Sequence, residues 1–242
     1  MTGKVTYADA EGAMQTEVLS PRARMLSDLP FAFWFQQAVG ILALLTGGWV
    51  LALRREDWGA RMFGFTALFV PIFAQAASVY STRQIAMDGE FLKLMSQINH
   101  FGAAAFGTAL VGLFLMYPRP MVHPKWLLVP LAIYGTGIVL DLRYVGEDLW
   151  MNLIVPSQML LAIIFGTVQW WRAREDPLDR AGLRWFLLFS LIGCSLFVGL
   201  SVMPVALGLS DQGYVPQAFA FGFFNLMHIG LAFGVTRWRV FE

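Results

Sequence analysis

The sequence predicts an all-α membrane protein, a bundle of seven transmembrane helices. Hydrophobic residues make up 57% of the 242 residues and charged residues only 14%, whereas a soluble domain carries about 25% charge. The apolar residues gather in runs of roughly 20, the length that an α-helix needs to cross a bilayer. Within each run they continue around the whole helix, so none of the runs is typical of a soluble amphipathic helix.

Seven apolar runs follow one another along the chain, flanked by charged residues or prolines. We predict transmembrane helices over about Phe31–Leu53, Ala60–Tyr80, Ile98–Tyr117, Trp126–Val145, Leu149–Trp171, Leu183–Leu207 and Val215–Thr236. Residues 1–30 are mixed and polar and lack the basic start and apolar core of a signal peptide. We therefore predict a polar extracytoplasmic tail over 1–30, disordered or lying on the outer surface. We predict that residues 31–242 form the seven-helix transmembrane domain, which ends in the start of a cytoplasmic signalling helix.

The distribution of Lys and Arg predicts the orientation of the bundle. The loops on one side hold eleven of these residues, and the other side, including the tail, holds six. Because cytoplasmic loops carry the excess of positive charge, we expect the N-terminus outside and the C-terminus in the cytoplasm. Seven tryptophans also cluster near the more basic side, as interfacial rings do: Trp49, Trp58, Trp126, Trp170, Trp171, Trp185 and Trp238.

Polar residues concentrate in the outer half of the predicted helices. A polar group in lipid costs several kcal/mol unless it finds a partner, so these side chains either bond helix to helix or line a wet cavity. Their spread over five or more helices favours a ligand pocket, although interhelical bonding remains open. The predicted ligand-binding residues are Gln36, Gln75, Ser78, Tyr80, Arg83, Asn99, His100, Asp141, Arg143 and Asn152.

Two groups of these residues have a more specific interpretation. Gln75, Ser78 and Thr82 are spaced three and four apart and therefore share one helical face. Asp141 and Arg143 close the fourth helix, where they are either solvated interface charges or, through Arg143 or Arg83, a site for an anionic head group.

Asn225 and His228 lie three residues apart near the middle of the seventh helix. A histidine at that depth is a candidate functional residue. It either makes a hydrogen bond across the bundle or helps to transmit a shift along the seventh helix, and we name both residues as candidates for signal relay. Only three histidines occur in the chain, too scattered to predict a metal site.

Several function classes lack their residues in this sequence. A retinal protein needs a lysine within a span, and the only lysines, Lys4, Lys93 and Lys125, lie outside the predicted spans. The chain has no HExxH, GxSxG or Walker motif, so we predict neither catalysis nor a cofactor. A net charge of +1 without a basic stripe gives no support to nucleic-acid binding.

Short motifs along residues 30–242 resemble the seven-transmembrane N-terminal sensor region of bacterial sensor histidine kinases. The third helix exits through the sequence LFLMYPRP, which is similar to the family's "LF-x-x-YPR" exit. The last helix ends in GLAFGVTRWRVF, where the family has "RYRLF". The other matching stretches are Tyr80–Arg83, Phe91-Leu92, Asn99–Gly102 and Asp176–Trp185.

The resemblance implies a multi-pass sensor in the bacterial inner membrane that acts as a homodimer. Such kinases continue into a dimerisation helix with a phospho-accepting histidine and an ATP-binding domain, and this chain contains neither. The expected ligand is small and hydrophobic or amphipathic, such as a lipid-like molecule, because the chain's 21 phenylalanines would give a pocket apolar walls. Membrane lipid is the other expected partner. The alternatives are a small-molecule transporter or channel, or a structural subunit of a membrane complex.

Overall fold

The computed structural model describes residues 3–8, 12–19, 25–83, 87–143, 149–175, 177–211 and 213–238. Within these ranges the side chains of 3, 19, 83, 141–142, 149–152, 178–179, 181–182 and 231–238 are not described. The chain divides into two compact units, Met1–Pro30 and Phe31–Glu242.

The first unit contains an antiparallel hairpin of β1 (Gly3–Ala8) and β2 (Met14–Leu19). Along β1, Val5 and Tyr7 alternate with the polar residues Lys4 and Thr6, a pattern that favours strands. Across the hairpin, Val5 pairs with Glu17 and Tyr7 with Gln15. The sequence predicts a polar tail that is either disordered or lies on the outer surface, and neither alternative included a hairpin. Overall polarity obscured the two short alternating segments in the sequence.

The second unit is built from α-helices. Their bounds are α1 (Phe31–Leu53), α2 (Trp58–Arg83), α3 (Gly89–Met116), α4 (Leu128–Arg143), α5 (Leu149–Arg172), α6 (Pro177–Phe197), α7 (Met203–Ala206), α8 (Gln217–Ala220) and α9 (Gly222–Trp238). A π-helical segment, Val198–Val202, joins α6 to α7. A 3₁₀ turn, Pro124–Leu127, leads into α4.

Side-chain caps explain where two of the long helices begin. The Asp57 carboxylate accepts a hydrogen bond from the backbone N–H of Ala60 at 2.7 Å, at the start of α2. The Asp88 carboxylate does the same for Phe91 at 2.9 Å, at the start of α3. Each bond satisfies one of the backbone donors that the first turn of a helix leaves free. The third helix therefore begins nine residues before the apolar run that predicts it.

Among the described residues, five helical segments are long and apolar enough to cross a membrane, so the second unit is that of an all-α membrane protein. They are Phe31–Leu53, Trp58–Thr82, Gly89–Met116, Leu153–Glu175 and Leu183–Ala206. The fourth and seventh predicted spans correspond to shorter elements, since α4 has 16 residues and α9 has 17.

Six helices form a ring in which α1, α2, α3, α5, α6 and α9 contact one another in that order, and α9 returns to α1. The fourth helix lies outside the ring, against α3 and α5. We call the end of the bundle where α1 begins, α2 ends and α3 begins the Phe31 end. The opposite end, where α1 ends, is the Leu53 end.

Small residues bring α1 and α2 into close contact. A Cβ atom added at Gly40 would stand 2.9 Å from the Cα atom of Pro71, and one added at Gly47 would collide with the Ala67 side chain. Without a hydrophobic drive between helices in lipid, such close backbone approach supplies the attraction.

An aromatic cluster closes the interior of the ring toward the Leu53 end. The Phe186 ring lies 6.4 Å from Phe63, 5.6 Å from Phe114 and 5.3 Å from Tyr117, measured between ring centroids. All four residues are buried. The open space of the ring is therefore at its Phe31 end.

Candidate functional site

The ring encloses a cavity of about 230 Å³ near its Phe31 end. Helices α2, α3, α5, α8 and α9 and the π-helical segment all contribute to its wall. The lining residues are Phe73, Tyr80, Asn99, His100, Ala103, Phe106, Val155, Pro156, Met159, Phe197, Val202, Gln217, Phe221 and Phe224.

Four side chains in the lining can form hydrogen bonds. Asn99 is 3% exposed, and its Nδ2 atom donates to the backbone oxygen of Phe73 at 2.9 Å, which joins α3 to α2. The Tyr80 side chain is hydrogen-bonded to that of Gln217, which joins α2 to α8. His100, half-buried, is the remaining polar group. These groups gather on neighbouring helices around one space.

Phenylalanine rings form the deep wall of the cavity. The Phe224 ring lies 4.8 Å from Phe106 and 4.7 Å from Phe197, and the Phe73 ring lies 4.9 Å from Phe221. Contacts at these distances and tilted angles are the favourable ones between aromatic rings. A bound molecule would meet polar groups on some sides and aromatic faces below.

The π-helical segment supports the cavity from α6. Val202 lies within the segment and Phe197 directly precedes it. The loop before α8 docks on the segment, because the Leu200 carbonyl accepts a hydrogen bond from the Tyr214 N–H at 2.8 Å. Gly213 permits this approach, since its φ is +79° and a Cβ atom there would stand 2.8 Å from the Ser201 carbonyl oxygen. Single-turn π segments within α-helices are frequent at functional sites.

Three of the sequence-predicted residues, Tyr80, Asn99 and His100, lie together in this cavity. That they bind a ligand stays a prediction. The side chains of Arg83, Asp141 and Asn152 lie outside the described part of the structure.

Four other predicted residues do not line the cavity. Gln36 is buried on α1, where its Nε2 atom donates to the Ala32 carbonyl at 3.2 Å. Gln75 is exposed on α2, and Arg143 is exposed on α4, outside the ring. Ser78 is buried and accepts a hydrogen bond from Gln37 of α1 at 2.7 Å.

The geometry of α2 explains two of these departures. Residues seven apart share a helical face, so Phe73 and Tyr80 both face the cavity. Gln75 and Ser78 lie roughly opposite them at 100° per residue. The polar face that the sequence predicts on α2 is therefore turned away from the cavity, toward α1 and the outside of the bundle.

Asn225 and His228 lie deeper along α9 than the cavity. His228 is completely buried, and its Nδ1 atom lies 3.0 Å from the carbonyl oxygen of Phe224, a cavity residue. The imidazole ring is 5.1 Å from the ring of Phe63. Among the described residues, the His228 Nε2 and Asn225 Oδ1 atoms have no hydrogen-bond partner. Such buried unpaired atoms are rare and call for an explanation.

Sequence reasoning missed most of the apolar wall. Phe73, Phe106, Phe197, Phe221 and Phe224 belong to an abundant residue type in this chain, and each helix is apolar around its circumference. No spacing rule separates an inward-facing phenylalanine from one that faces lipid here. Among the lining residues that were not predicted, Gln217 could have been identified from the sequence, because it is a polar residue at the start of the last apolar run.

The described lining of the cavity offers hydrogen-bonding and aromatic groups. Its described lining contains no Asp, Glu, Lys, Arg, Ser or Cys side chain. Over the described residues, no group of three or more His, Cys, Asp or Glu side chains is arranged to hold a metal ion. A single imidazole, a phenol and two amides can orient a ligand by hydrogen bonds.

No protein-family model matches the chain, no curated protein matches its sequence, and no solved structure matches its fold. The resemblance to sensor regions of histidine kinases therefore stays a prediction from the motifs.

Proposed function

We propose that the chain is a membrane-embedded sensor domain that binds a small, uncharged amphipathic molecule in the cavity. The observation that carries this proposal is one partly open cavity in which four hydrogen-bonding side chains converge above an aromatic wall. Ligand sites are typically concave and mostly apolar, with a few polar groups that fix orientation. The buried aromatic cluster toward the Leu53 end favours a receptor over a transporter, because a transporter needs a polar path through the bundle.

The lining restricts the ligand's chemistry. A charged molecule would lose its hydration without gaining an oppositely charged partner from the described lining, and burying an unpaired charge is costly. The volume of about 230 Å³ lies below the roughly 300 Å³ at which drug-sized pockets begin. The preferred ligand is therefore small and neutral, with a hydroxyl or carbonyl group and a short apolar part. An anionic head group held by Arg143 is not part of this proposal, because α4 lies outside the ring.

Helix α9 is the proposed route of the signal. Phe224 of α9 lines the cavity, as does Phe221 directly before this helix, and the next turn of α9 carries His228, whose ring lies against Phe63. A ligand that changes the position of Phe224 would therefore also change this deeper contact. Such a ligand shifts the equilibrium only if it binds the two states with different affinity, typically by about 1–3 kcal/mol.

Seven spans are part of the proposal. The 3₁₀ turn adds 4 residues to the 16 of α4, giving a length of about 32 Å from the usual rises per residue. This is close to the bilayer core of about 30 Å. Similarly, α8 and α9 together cover Gln217–Trp238. The fourth and seventh predicted spans are then complete, in spite of their short α-helical parts.

The Leu53 end is the proposed cytoplasmic end. Arginine side chains lie over tryptophan rings there, with Arg61 at 4.9 Å from the Trp58 centroid and Arg174 at 4.4 Å from the Trp171 centroid. Tryptophan belongs at membrane interfaces and arginine in cytoplasmic loops. A homodimer in the bacterial inner membrane and coupling to a histidine kinase complete the proposal, and these parts rest on the sequence resemblance alone.

Binding is tested with 1-hexanol as a neutral probe and hexanoate as its charged counterpart. We expect hexanol to raise the Tm of the chain in nanodiscs and hexanoate to have no effect. A probe at 100 times its Kd stabilises the folded state by about 2.7 kcal/mol. The Ala103→Leu variant fills the cavity and should abolish the shift. Ala105→Leu, on another face of α3, is the control for added volume and for effects of hexanol on the bilayer.

The polar contacts are tested separately with His100→Ala and Asn99→Ala. Both variants should bind hexanol more weakly. Asn99→Ala should also lower the Tm without ligand, because it removes the bond to Phe73. Equal Tm shifts in Ala103→Leu, Ala105→Leu and the unmodified chain would disprove a ligand site in this cavity.

The coupling to a kinase is tested at the native gene. We expect the reading frame to continue past codon 242 into a phospho-accepting helix, and autophosphorylation of that product to respond to cavity variants. A stop codon after Glu242 would leave the binding proposal intact and remove the kinase from it.

A further inference from the structure

A second recess lies outside the ring, between α3, α4 and α5, toward the Leu53 end. It has a volume of about 430 Å³, and its walls include Leu115, Val122, Trp126, Val129, Leu161 and Phe165. We call it the α4 groove. It opens sideways, because Val129 and Trp126 are 45% and 51% exposed. This opening faces the hydrocarbon when the apolar helices around it lie in a membrane.

The α4 groove lies between two contacts of the fourth-helix region with the ring. Near the middle of α4, the Tyr134 hydroxyl lies 3.3 Å from the Ser157 hydroxyl of α5. Just before α4, Leu127 approaches α3, so that a Cβ atom added at Gly112 would stand 3.4 Å from its side chain. An empty recess would forfeit the dispersion contacts of its lining, so a flexible hydrocarbon chain is the natural filler.

Basic residues border the groove at its Leu53 end. Lys125 precedes the groove residue Trp126, and both are exposed. Arg119 and His123, also exposed, lie in the same loop. No Asp or Glu occurs between Glu90 and Asp141 in the sequence, so the loop itself contributes basic residues and no acidic one.

We propose that the α4 groove holds an acyl chain of one anionic phospholipid whose phosphate lies at Lys125. A lipid tail is as apolar as leucine, so the groove alone would not select one lipid over another. The selection comes from the loop, because a lysine can extend along apolar surface and place its ammonium group at the head-group level. The bound lipid ties α4, the one long helix outside the ring, to α3 and α5.

The experiment measures lipid retention by native mass spectrometry. The full chain is reconstituted in equimolar phosphatidylglycerol and phosphatidylcholine, both with palmitoyl and oleoyl chains, and is then released into detergent. We expect one phosphatidylglycerol to be retained per chain, with at least a fivefold preference over phosphatidylcholine. Lys125→Gln should remove most of that preference. Lys93→Gln, which removes a lysine near the start of α3, should leave it unchanged.

A second pair of variants tests the groove itself. Val129→Trp fills the groove and should reduce the retention of both lipids severalfold, and Ile133→Trp, another groove position, should do the same. Leu131→Trp places the same ring on α4 outside the groove lining and should retain lipid normally. If the groove variants retain as much lipid as Leu131→Trp, or if Lys125→Gln keeps the full preference, the proposed site is wrong. Circular dichroism and gel filtration verify that each variant is folded.

Discussion

At the scale of single residues, Gly107 and Gln158 are in a contact that leaves no room for a side chain at position 107. The Gln158 amide is completely buried and donates to the Ala104 carbonyl at 2.8 Å and to the Thr108 hydroxyl at 3.0 Å. It reaches α3 only because Gly107 has no side chain, since a Cβ atom there would collide with the amide. One glycine thus allows a polar side chain of α5 to bind two groups of α3 beside the cavity.

Gly107→Ala should therefore destabilise the bundle. The added methyl group displaces the amide, so both hydrogen bonds are lost and the helices separate, at a cost of about 1–3 kcal/mol. Thermal unfolding in detergent should show a Tm lower by several degrees. Gly135→Ala in α4 is the matched control, because a Cβ atom there meets nothing within 4 Å. If both variants unfold at the same temperature, the Gly107 contact has no energetic importance.

At the scale of helices, α1 and α2 show how close packing distinguishes one face of a helix that is apolar on all sides. Gly47 faces α2, whereas its neighbour Gly48 faces open space. The two residues are identical in type and adjacent, so composition alone cannot tell which faces the bundle.

This adjacent pair gives a sharp test of the α1–α2 contact. Gly47→Leu should separate the two helices and lower the Tm strongly, because the new side chain meets Ala67 and the backbone of α2. Gly48→Leu should leave the Tm nearly unchanged, since its side chain enters lipid. The pair has the same added volume and almost the same depth in the membrane. Similar losses in both variants would show that the close crossing is not the source of stability.

Sequence reasoning locates most of the helices and little of their arrangement. The start of α1 at Phe31 is readable because Pro30 precedes an apolar run. The start of α3 at Gly89 cannot be predicted in this way, because the charged residues Glu90 and Lys93 are as typical of a loop as of a helix. The Asp88 cap shows that they belong to the helix. Tyr80, Asn99 and His100 were identifiable as polar residues in an apolar setting. The aromatic wall was not identifiable, because the sequence of a helix that is apolar on all sides does not show which side faces the cavity.

At the scale of the whole molecule, the peripheral position of α4 was beyond sequence reasoning for the same reason. The order of helices in the ring depends on specific contacts such as Gln169 of α5, whose amide donates to the Phe114 and Arg119 carbonyls at 3.0 and 2.9 Å. These contacts join residues that are 50 to 55 positions apart along the chain.

Labelling with a membrane-impermeant maleimide tests the proposed orientation and the crossing of α4. In a Cys194→Ala background, Glu17→Cys and Arg143→Cys should react in intact spheroplasts. Arg55→Cys and Lys125→Cys should react only after permeabilisation, because they belong to the proposed cytoplasmic end. The reverse pattern would invert the orientation. Reaction of positions 125 and 143 from the same side would show that α4 does not cross.

The π-helical segment changes which side of the helix the residues after Val202 face, compared with a regular α-helix of the same sequence. In a regular α-helix, Phe197 and Val202 would point about 140° apart at 100° per residue, yet both line the cavity. The wider i→i+5 turn brings them round to the same side. The segment therefore behaves as an α-helix into which one extra residue has been fitted, and a helical wheel drawn through Val198–Val202 assigns every later residue of α7 to the wrong face.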